Sequence, residues 1–333
     1  MAYSAEISSE AGVAQSRRAS RGDGGEGLIR VADVPKTMTV FHHLTKTHDY
    51  AAACARVAPR TSADGLIAVP LPRALVSGLR KAAQKAIARH GLHAWLSKEG
   101  RPKNSSYESL SLAYNPELHD PGIRDVHQAT LGTSVNPASE FFYGKVHRFA
   151  EIKNTYFDTY GFRLLTPAAK TGALGRFLSE CNLSLVRSRL SVLYGDDEAD
   201  INDPEFGWHR DEPVFENLRV NIPLVSHPSY RLQIEHASDT PVVNSPTATT
   251  HYLKSGFAYT FDTNRPHRVY PVRMCRIMRV HLVLGFSPWF RYAPSLDGWV
   301  PNEYYGRKHP FDILREGGLH PSMKIVQDRE RYA

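Results

Sequence analysis

The sequence predicts a mainly β protein with flanking helices, its second half folded as an antiparallel sandwich or barrel. Three observations carry this. Five stretches, residues 189–194, 219–224, 231–235, 257–261 and 279–286, alternate apolar and polar side chains with the period of two that a half-buried strand shows. Turn-forming clusters separate them, and no long helical pattern intervenes. Strands joined this closely pair antiparallel, because a parallel pair needs a long crossover connection.

The chain before these strands is built differently. Residues 1–36 mix Ser, Ala, Gly, Arg and Glu without apolar periodicity and read as a disordered tail, in which Leu28-Ile-Arg-Val31 is the piece able to dock. Residues 37–180 read as a helical and mixed support region. There Leu75, Leu79, Ala83 and Ile87 recur at helical spacing behind Pro72, and Gly91 interrupts the pattern. Residues 107–114 alternate as a strand, and residues 115–122 form a dense turn cluster. Phe141, Phe142, Tyr143, Tyr156, Phe157 and Tyr160 read mostly as core packing. Residues 172–181 read as a short helix leading into the strand-rich core, residues 181–290, with loops at 196–204 and 241–250. Residues 291–333, rich in Pro, Gly and aromatics, read as an irregular C-terminal wrap.

Composition narrows the function classes. The 333 residues are 41% hydrophobic and 23% charged, as in ordinary soluble proteins. No run of 18 apolar residues and no secretory signal pattern occurs, so a cytoplasmic protein without a membrane partner is expected. Cys54, Cys181 and Cys275 lie too far apart for a disulfide framework or a thiolate metal site. The net charge of +7 suits an anionic partner, but the arginines are scattered through strands, which argues against nucleic acid.

The chemistry gathers in Phe206-Gly-Trp-His-Arg-Asp-Glu-Pro213. A His-x-Asp pair arises about once by accident in a chain of this composition, so the pair alone decides nothing. Its surroundings decide more. His209 and Asp211 share side-chain parity, so at a strand end both face one way. Residues 254–262 read as a turn and strand, and the turn at 263–266 delivers His267. Two imidazoles and one carboxylate on one barrel face, with open positions, form the facial triad of non-haem Fe(II) oxygenases. Arg279 opens a later strand and offers the guanidinium fork that a dicarboxylate needs. Arg219 and Asn221 share one strand face, opposite Val220, Ile222 and Leu224, as in a barrel enclosing a small anionic ligand.

The run from Arg189 to Trp289 resembles the aspartyl/asparaginyl β-hydroxylase-like branch of the Fe(II)/2-oxoglutarate-dependent dioxygenases, and is similar to the cis-4-proline hydroxylases. The stretches that carry the resemblance are SRLSVLYG, GWHRDEP, NLRVNIPL, KSGFAYTFDTNRPHRV and RVHLVLGFSPW. It implies a double-stranded β-helix core, the jelly-roll of cupin-like proteins. It also implies His209, Asp211 and His267 as iron ligands, Arg279 on the distal carboxylate of 2-oxoglutarate, and Ser191 assisting that arginine. Asn221 falls where the animal β-hydroxylases carry a histidine, and Arg219 where an arginine lies near substrate or co-substrate. The His267–Arg279 spacing is slightly longer than usual, which leaves Arg276 and Arg273 as rivals for the clamp.

By the same resemblance the cofactors are Fe(II), 2-oxoglutarate and dioxygen, with ascorbate as an activity aid, and the reaction is hydroxylation of an unactivated C–H bond. Asp211 argues against halogenation, which needs a small residue there. Arg219, Arg231, Gln233 and Glu235 are candidate contacts for a small polar substrate, such as a free or carrier-bound amino acid. Desaturation, epimerisation or cyclisation would use the same residues. A catalytically silent cupin-like binding protein is the reading from another class.

Overall fold

The computed structural model describes residues 27–35, 38–57, 65–94, 107–116, 159–195, 208–237, 245–272 and 275–323. Residues 1–26 of the tail expected at 1–36, the aromatics Phe141, Phe142, Tyr143, Tyr156 and Phe157, the loop at 196–204 and residues 241–244 of the loop expected at 241–250 lie outside these residues. So does the rival clamp Arg273.

In chain order the main elements are β1 (Ile29–Arg30), α1 (Val40–Thr47), α2 (Tyr50–Arg56), β2 (Ile67–Pro70), α3 (Arg73–His90), β3 (His93–Ala94), β4 (Tyr107–Ser111), β5 (Ala113–Tyr114), β6 (Leu164–Leu165) and α4 (Gly172–Ser179). The strand-rich part follows as β7 (Leu185–Gly195), β8 (Leu218–Val225), β9 (Tyr230–Glu235), β10 (Ala248–His251), β11 (Phe257–Thr260), β12 (His267–Pro271) and β13 (Cys275–Phe286). After it come β14 (Phe290–Ala293), β15 (Gly298–Pro301) and α5 (Pro310–Arg315).

Two sheets make the core. The major sheet runs β2-β11-β8-β13-β7-β4-β3 and the minor sheet β10-β9-β12, which an antiparallel bridge between His209 and His267 extends by one more segment. From β7 to β13 the chain therefore places its segments major, minor, major, minor, minor, major, minor, major. That alternation defines the double-stranded β-helix, or jelly roll. All the pairings are antiparallel, as the short connections require.

The two sheets bury opposite kinds of face. Val220, Ile222 and Leu224 of β8 and Leu282, Leu284 and Phe286 of β13 point away from the barrel into a core shared with Leu79, Ala83 and Ala86 of α3 and Leu174 and Phe177 of α4. This leaves the inner face of the major sheet to its polar residues. The minor sheet has its apolar side inward: Leu232 and Ile234 of β9 pack with Leu253, Tyr259 and Phe261 between the sheets. Each such fully buried side chain contributes roughly 1.5–3 kcal/mol.

α3 follows Pro72 and ends where Gly91 takes φ 78°, a conformation that costs glycine nothing. Its buried stripe is Val76, Leu79, Ala82, Ala83 and Ala86, with Leu75 and Ile87 half-buried at the margins. Two stretches read as irregular are regular. Residues 248–251, which overlap the end of the loop expected at 241–250, form the edge strand β10 against β9; its Thr-rich text lacks the apolar alternation that marks a strand. Beyond Trp289, β14 and β15 form a hairpin whose turn holds Asp297 in the left-handed region, and β1 adds to it through Ile29–Trp299 pairing.

Gly285 sits where β13 passes β7 at a bulge, beside Arg187 at φ 41°. A Cβ there would run into the Val186 carbonyl oxygen and lie 2.7 Å from Oδ1 of Asn217. Backbone cannot yield cheaply, so Gly285→Ala is expected to cost about 1–3 kcal/mol by overpacking. Thermal unfolding should show a transition several degrees lower; an unchanged midpoint would mean that the bulge is soft.

Candidate metal centre

Two segments meet at the barrel mouth and are pinned by their backbones. The His209 N–H donates to the His267 carbonyl at 3.0 Å, and His267 returns the bond at 2.9 Å. The Asp211 N–H donates to Thr263 O at 2.9 Å, and the Thr263 hydroxyl donates to Glu212 O at 2.9 Å. The turn that delivers His267 is closed locally. Asp262 accepts from Asn264 N through its side chain and from Arg265 N through its carbonyl.

His267 is set up as a ligand. Its Nδ1 lies 2.9 Å from the Arg265 carbonyl, which can only accept, so Nδ1 carries the proton and the Nε2 lone pair is free. Phe261 packs edge-on against the ring, and only 5% of the residue is exposed. Nε2 faces Oδ2 of Asp211 at 3.4 Å, and the His209 ring centroid is 4.3 Å from that of His267. One ligand atom from each of His209, Asp211 and His267 lies within 4.8 Å of the others. His209 is exposed and Asp211 half-buried, so the group is open on one side.

The group's own carboxylate, Asp211, and its neighbour Glu212 are both held ionised. Arg219 donates to Oδ2 of Asp211 and, at 2.7 Å, to Oε2 of Glu212. Arg187 at 2.6 Å and the Thr159 hydroxyl at 2.9 Å both donate to Oε1 of Glu212. Burial pushes the Asp211 pKa up, but the Arg219 guanidinium beside it outweighs the burial and holds the carboxyl well below its usual range. Burial likewise raises Glu212, and Arg219 and Arg187 overcome that and the repulsion of Asp211, bringing it to about 2.

Deeper in the barrel lie the residues expected for a co-substrate. On the inner face of the major sheet, Arg219 pairs across to Gly285, Asn221 to Val283, and His281 to both Pro223 and Ser191; Arg279 shares this face and pairs with Leu193. Arg279 is 6% exposed, and its Nη2 lies 2.9 Å from Nδ1 of His281. Burial, then the charge of Arg279, holds His281 well below the usual imidazole range, so it is neutral and its Nδ1 accepts that bond. Leu193 belongs to a cluster with Tyr230 against which Val269 packs, two residues along β12 from His267. The guanidinium's strand position therefore lies about two strand residues, or roughly 7 Å, below the candidate ligands.

Three expected contacts are placed elsewhere. Arg276 is exposed, inside the irregular stretch between Cys275 and Arg279 and so outside the inward register of Arg279. Gln233 pairs with Arg268, one residue off the inward pair Ile234–His267, and so points outward, where it bonds Thr250 and Arg268. Arg231 has the same parity and lies over the Tyr252 ring. Arg219 faces the site, but its guanidinium is shared between Asp211 and Glu212. Reading the sequence residue by residue overlooked Glu212, Arg187, Thr159 and the partnership of His281 with Arg279. Glu212 was detectable in principle as a second carboxylate beside the candidate ligand Asp211, though alternation aims it away from Asp211.

No protein-family model matches the chain, and no curated protein matches it. Among solved structures it is similar to the non-haem α-ketoglutarate-dependent epimerase SnoN from nogalamycin biosynthesis, at 14% identity and a TM-score of 0.36, covering 72% of this chain and 82% of that one. A prolyl hydroxylase from Trichoplax adhaerens, in complex with a hypoxia-inducible-factor peptide fragment, gives 12% identity and a TM-score of 0.35 over 76% of this chain and 95% of that one. A Pseudomonas putida prolyl-4-hydroxylase gives 14% and 0.32 over 70% and 97%. Likeness this distant adds no residue and no substrate to the site, whose reading rests on the chain's own geometry. Among the described residues no helix is long and apolar enough to cross a membrane.

Proposed function

We propose that this chain is a non-haem Fe(II)/2-oxoglutarate-dependent oxygenase that hydroxylates an unactivated C–H bond of a small polar, amino-acid-like substrate. The observation that carries the proposal is the convergence of His209, Asp211 and His267 within 4.8 Å on one face of a jelly roll, with the His267 tautomer set for coordination and one side open. Two imidazoles and a carboxylate suit Fe(II), and the open side suits a centre that must also take co-substrate and dioxygen. When bound, iron with 2-oxoglutarate and dioxygen supplies the oxidising power that no side chain has.

The chain's residues do the rest. Arg265 holds the His267 Nδ1 proton through its carbonyl, and Arg219 holds one oxygen of Asp211. Arg279, steadied by His281 and with Ser191 on the neighbouring strand, receives the distal carboxylate of the co-substrate as a charge-assisted pair. Asn221 lies on the same wall between the clamp and the ligands and offers its amide to the bound co-substrate. Leu232, Ile234, Tyr259 and Phe261 keep the space between the sheets dry, which strengthens these polar contacts. The finer likeness, to the aspartyl/asparaginyl β-hydroxylase branch and to the cis-4-proline hydroxylases, rests on the five stretches between Arg189 and Trp289.

The test is direct. Purified protein given Fe(II), ascorbate, 2-oxoglutarate and dioxygen should release succinate, faster when a suitable amino acid is present. A hydroxylated product should carry an atom of labelled dioxygen. No succinate with any candidate sinks the proposal; succinate with an unlabelled, desaturated or cyclised product corrects only the reaction outcome.

A further inference from the structure

We infer that Glu212 is a positioning residue for the metal ligand Asp211, acting through Arg219 and anchored by Arg187 and Thr159. The inference rests on the proposed metal site and extends it to residues that do not touch the metal. The contacts form one path: Arg187 donates to Glu212, Arg219 donates to both Glu212 and Asp211, and Thr159 fills a further acceptor position on Glu212.

Each link restricts the next. A guanidinium presents its donors in a fixed planar fork, so Arg219 bound to Glu212 has one orientation left in which to meet Asp211. Glu212 cannot turn to follow it, because Arg187 and Thr159 hold Oε1 while Arg219 holds Oε2. Its backbone is tied as well, by the Thr263 hydroxyl on its carbonyl. The same ties hold a second carboxylate, one residue from a ligand, on guanidinium groups rather than on the metal.

The far end of the path is anchored at a cost. Arg187 is one of two non-glycine residues, among those described, with a left-handed backbone. Such a conformation persists only where its surroundings enforce it. Here the Arg187 N–H donates to Phe162 O at 3.1 Å and its guanidinium lies over the Phe162 ring. The conformation falls at the β7–β13 bulge, where it aims Arg187 at Glu212 instead of along the ladder.

Two variants separate positioning from mere charge. Glu212→Gln removes a negative charge near the metal, and Arg187→Met removes a positive one. If the network acts by position, both weaken Co(II) binding to the apo protein by about 10–100-fold, the usual cost of losing an outer-shell partner. If only the local charge matters, Glu212→Gln weakens binding and Arg187→Met tightens it. Affinity would be read from the Co(II) absorption spectrum at a temperature where thermal unfolding shows each variant folded. Arg219→Lys, which keeps the charge and loses the fork, should weaken binding as much, and combining it with Glu212→Gln should add little. Tighter binding in Arg187→Met, an affinity within about twofold of wild type in Glu212→Gln, or additive losses would each overturn the inference. Absence of Co(II) binding by the wild type would instead overturn the metal site itself, and this inference with it.

Discussion

Asp211→Ala is expected to abolish both metal binding and turnover. The carboxylate is the single anionic member of the ligand group and the one that offsets the charge of the ion. Its loss should exceed the roughly 10–100-fold cost of removing an outer-shell partner. A second effect follows from the neighbours. Arg219, 7% exposed, keeps Glu212 as a partner but loses Asp211, so positive charge remains beside two imidazoles where a cation must bind. Metal titration and succinate release check this together. Full activity would remove Asp211 from the ligands.

Arg279→Ala should raise the KM for 2-oxoglutarate by a factor on the order of 10², since truncating one partner of a buried charge pair costs about 2–5 kcal/mol. The KM for the hydroxylated substrate should change much less. Arg276→Ala is the control, because Arg276 is exposed outside the inward register. Arg279→Lys should recover part of the loss, since an ammonium keeps the charge but cannot fork. If Arg276→Ala raised that KM and Arg279→Ala did not, the clamp assignment would be wrong. His281 sharpens the expectation: as a neutral imagined spectator it would not matter, but as the acceptor of an Arg279 N–H it fixes the fork, so the clamp is oriented before ligand arrives.

Much of the barrel could be read from alternation because each strand has one apolar face. Alternation does not say which face looks inward, and the two sheets answer differently. In β8 the apolar residues Val220, Ile222 and Leu224 meet the α3 and α4 core, so Arg219 and Asn221 turn into the barrel as expected. In β9 the apolar residues Leu232 and Ile234 fill the barrel, so Arg231 and Gln233 turn out. The same pattern thus belongs to one pair of polar residues inside the barrel and to another outside it. What differs is whether helices cover the back of the sheet, which is decided by residues far away in sequence.

The grouping of His209, Asp211 and His267 was legible for a related reason. His209 and Asp211 are two residues apart, and the turn at 263–266 is visible as Thr-Asn-Arg-Pro, so parity and turn chemistry suffice. The Arg187–Glu212–Arg219 path was not legible. It joins three segments through side chains, and one end depends on a bulge and a left-handed residue that no local propensity for arginine suggests.

The reciprocal backbone bonds between His209 and His267 have a consequence for folding. They make the barrel's mouth a clasp between two points 58 residues apart, and an ion bound to both side chains would act as a removable staple across that whole loop. Occupancy is then worth RT ln(1 + [M]/Kd) of extra stability. Closing so long a loop by metal rather than by a covalent bond makes the integrity of the barrel track the supply of the ion, and the empty protein becomes the form that opens first at its mouth.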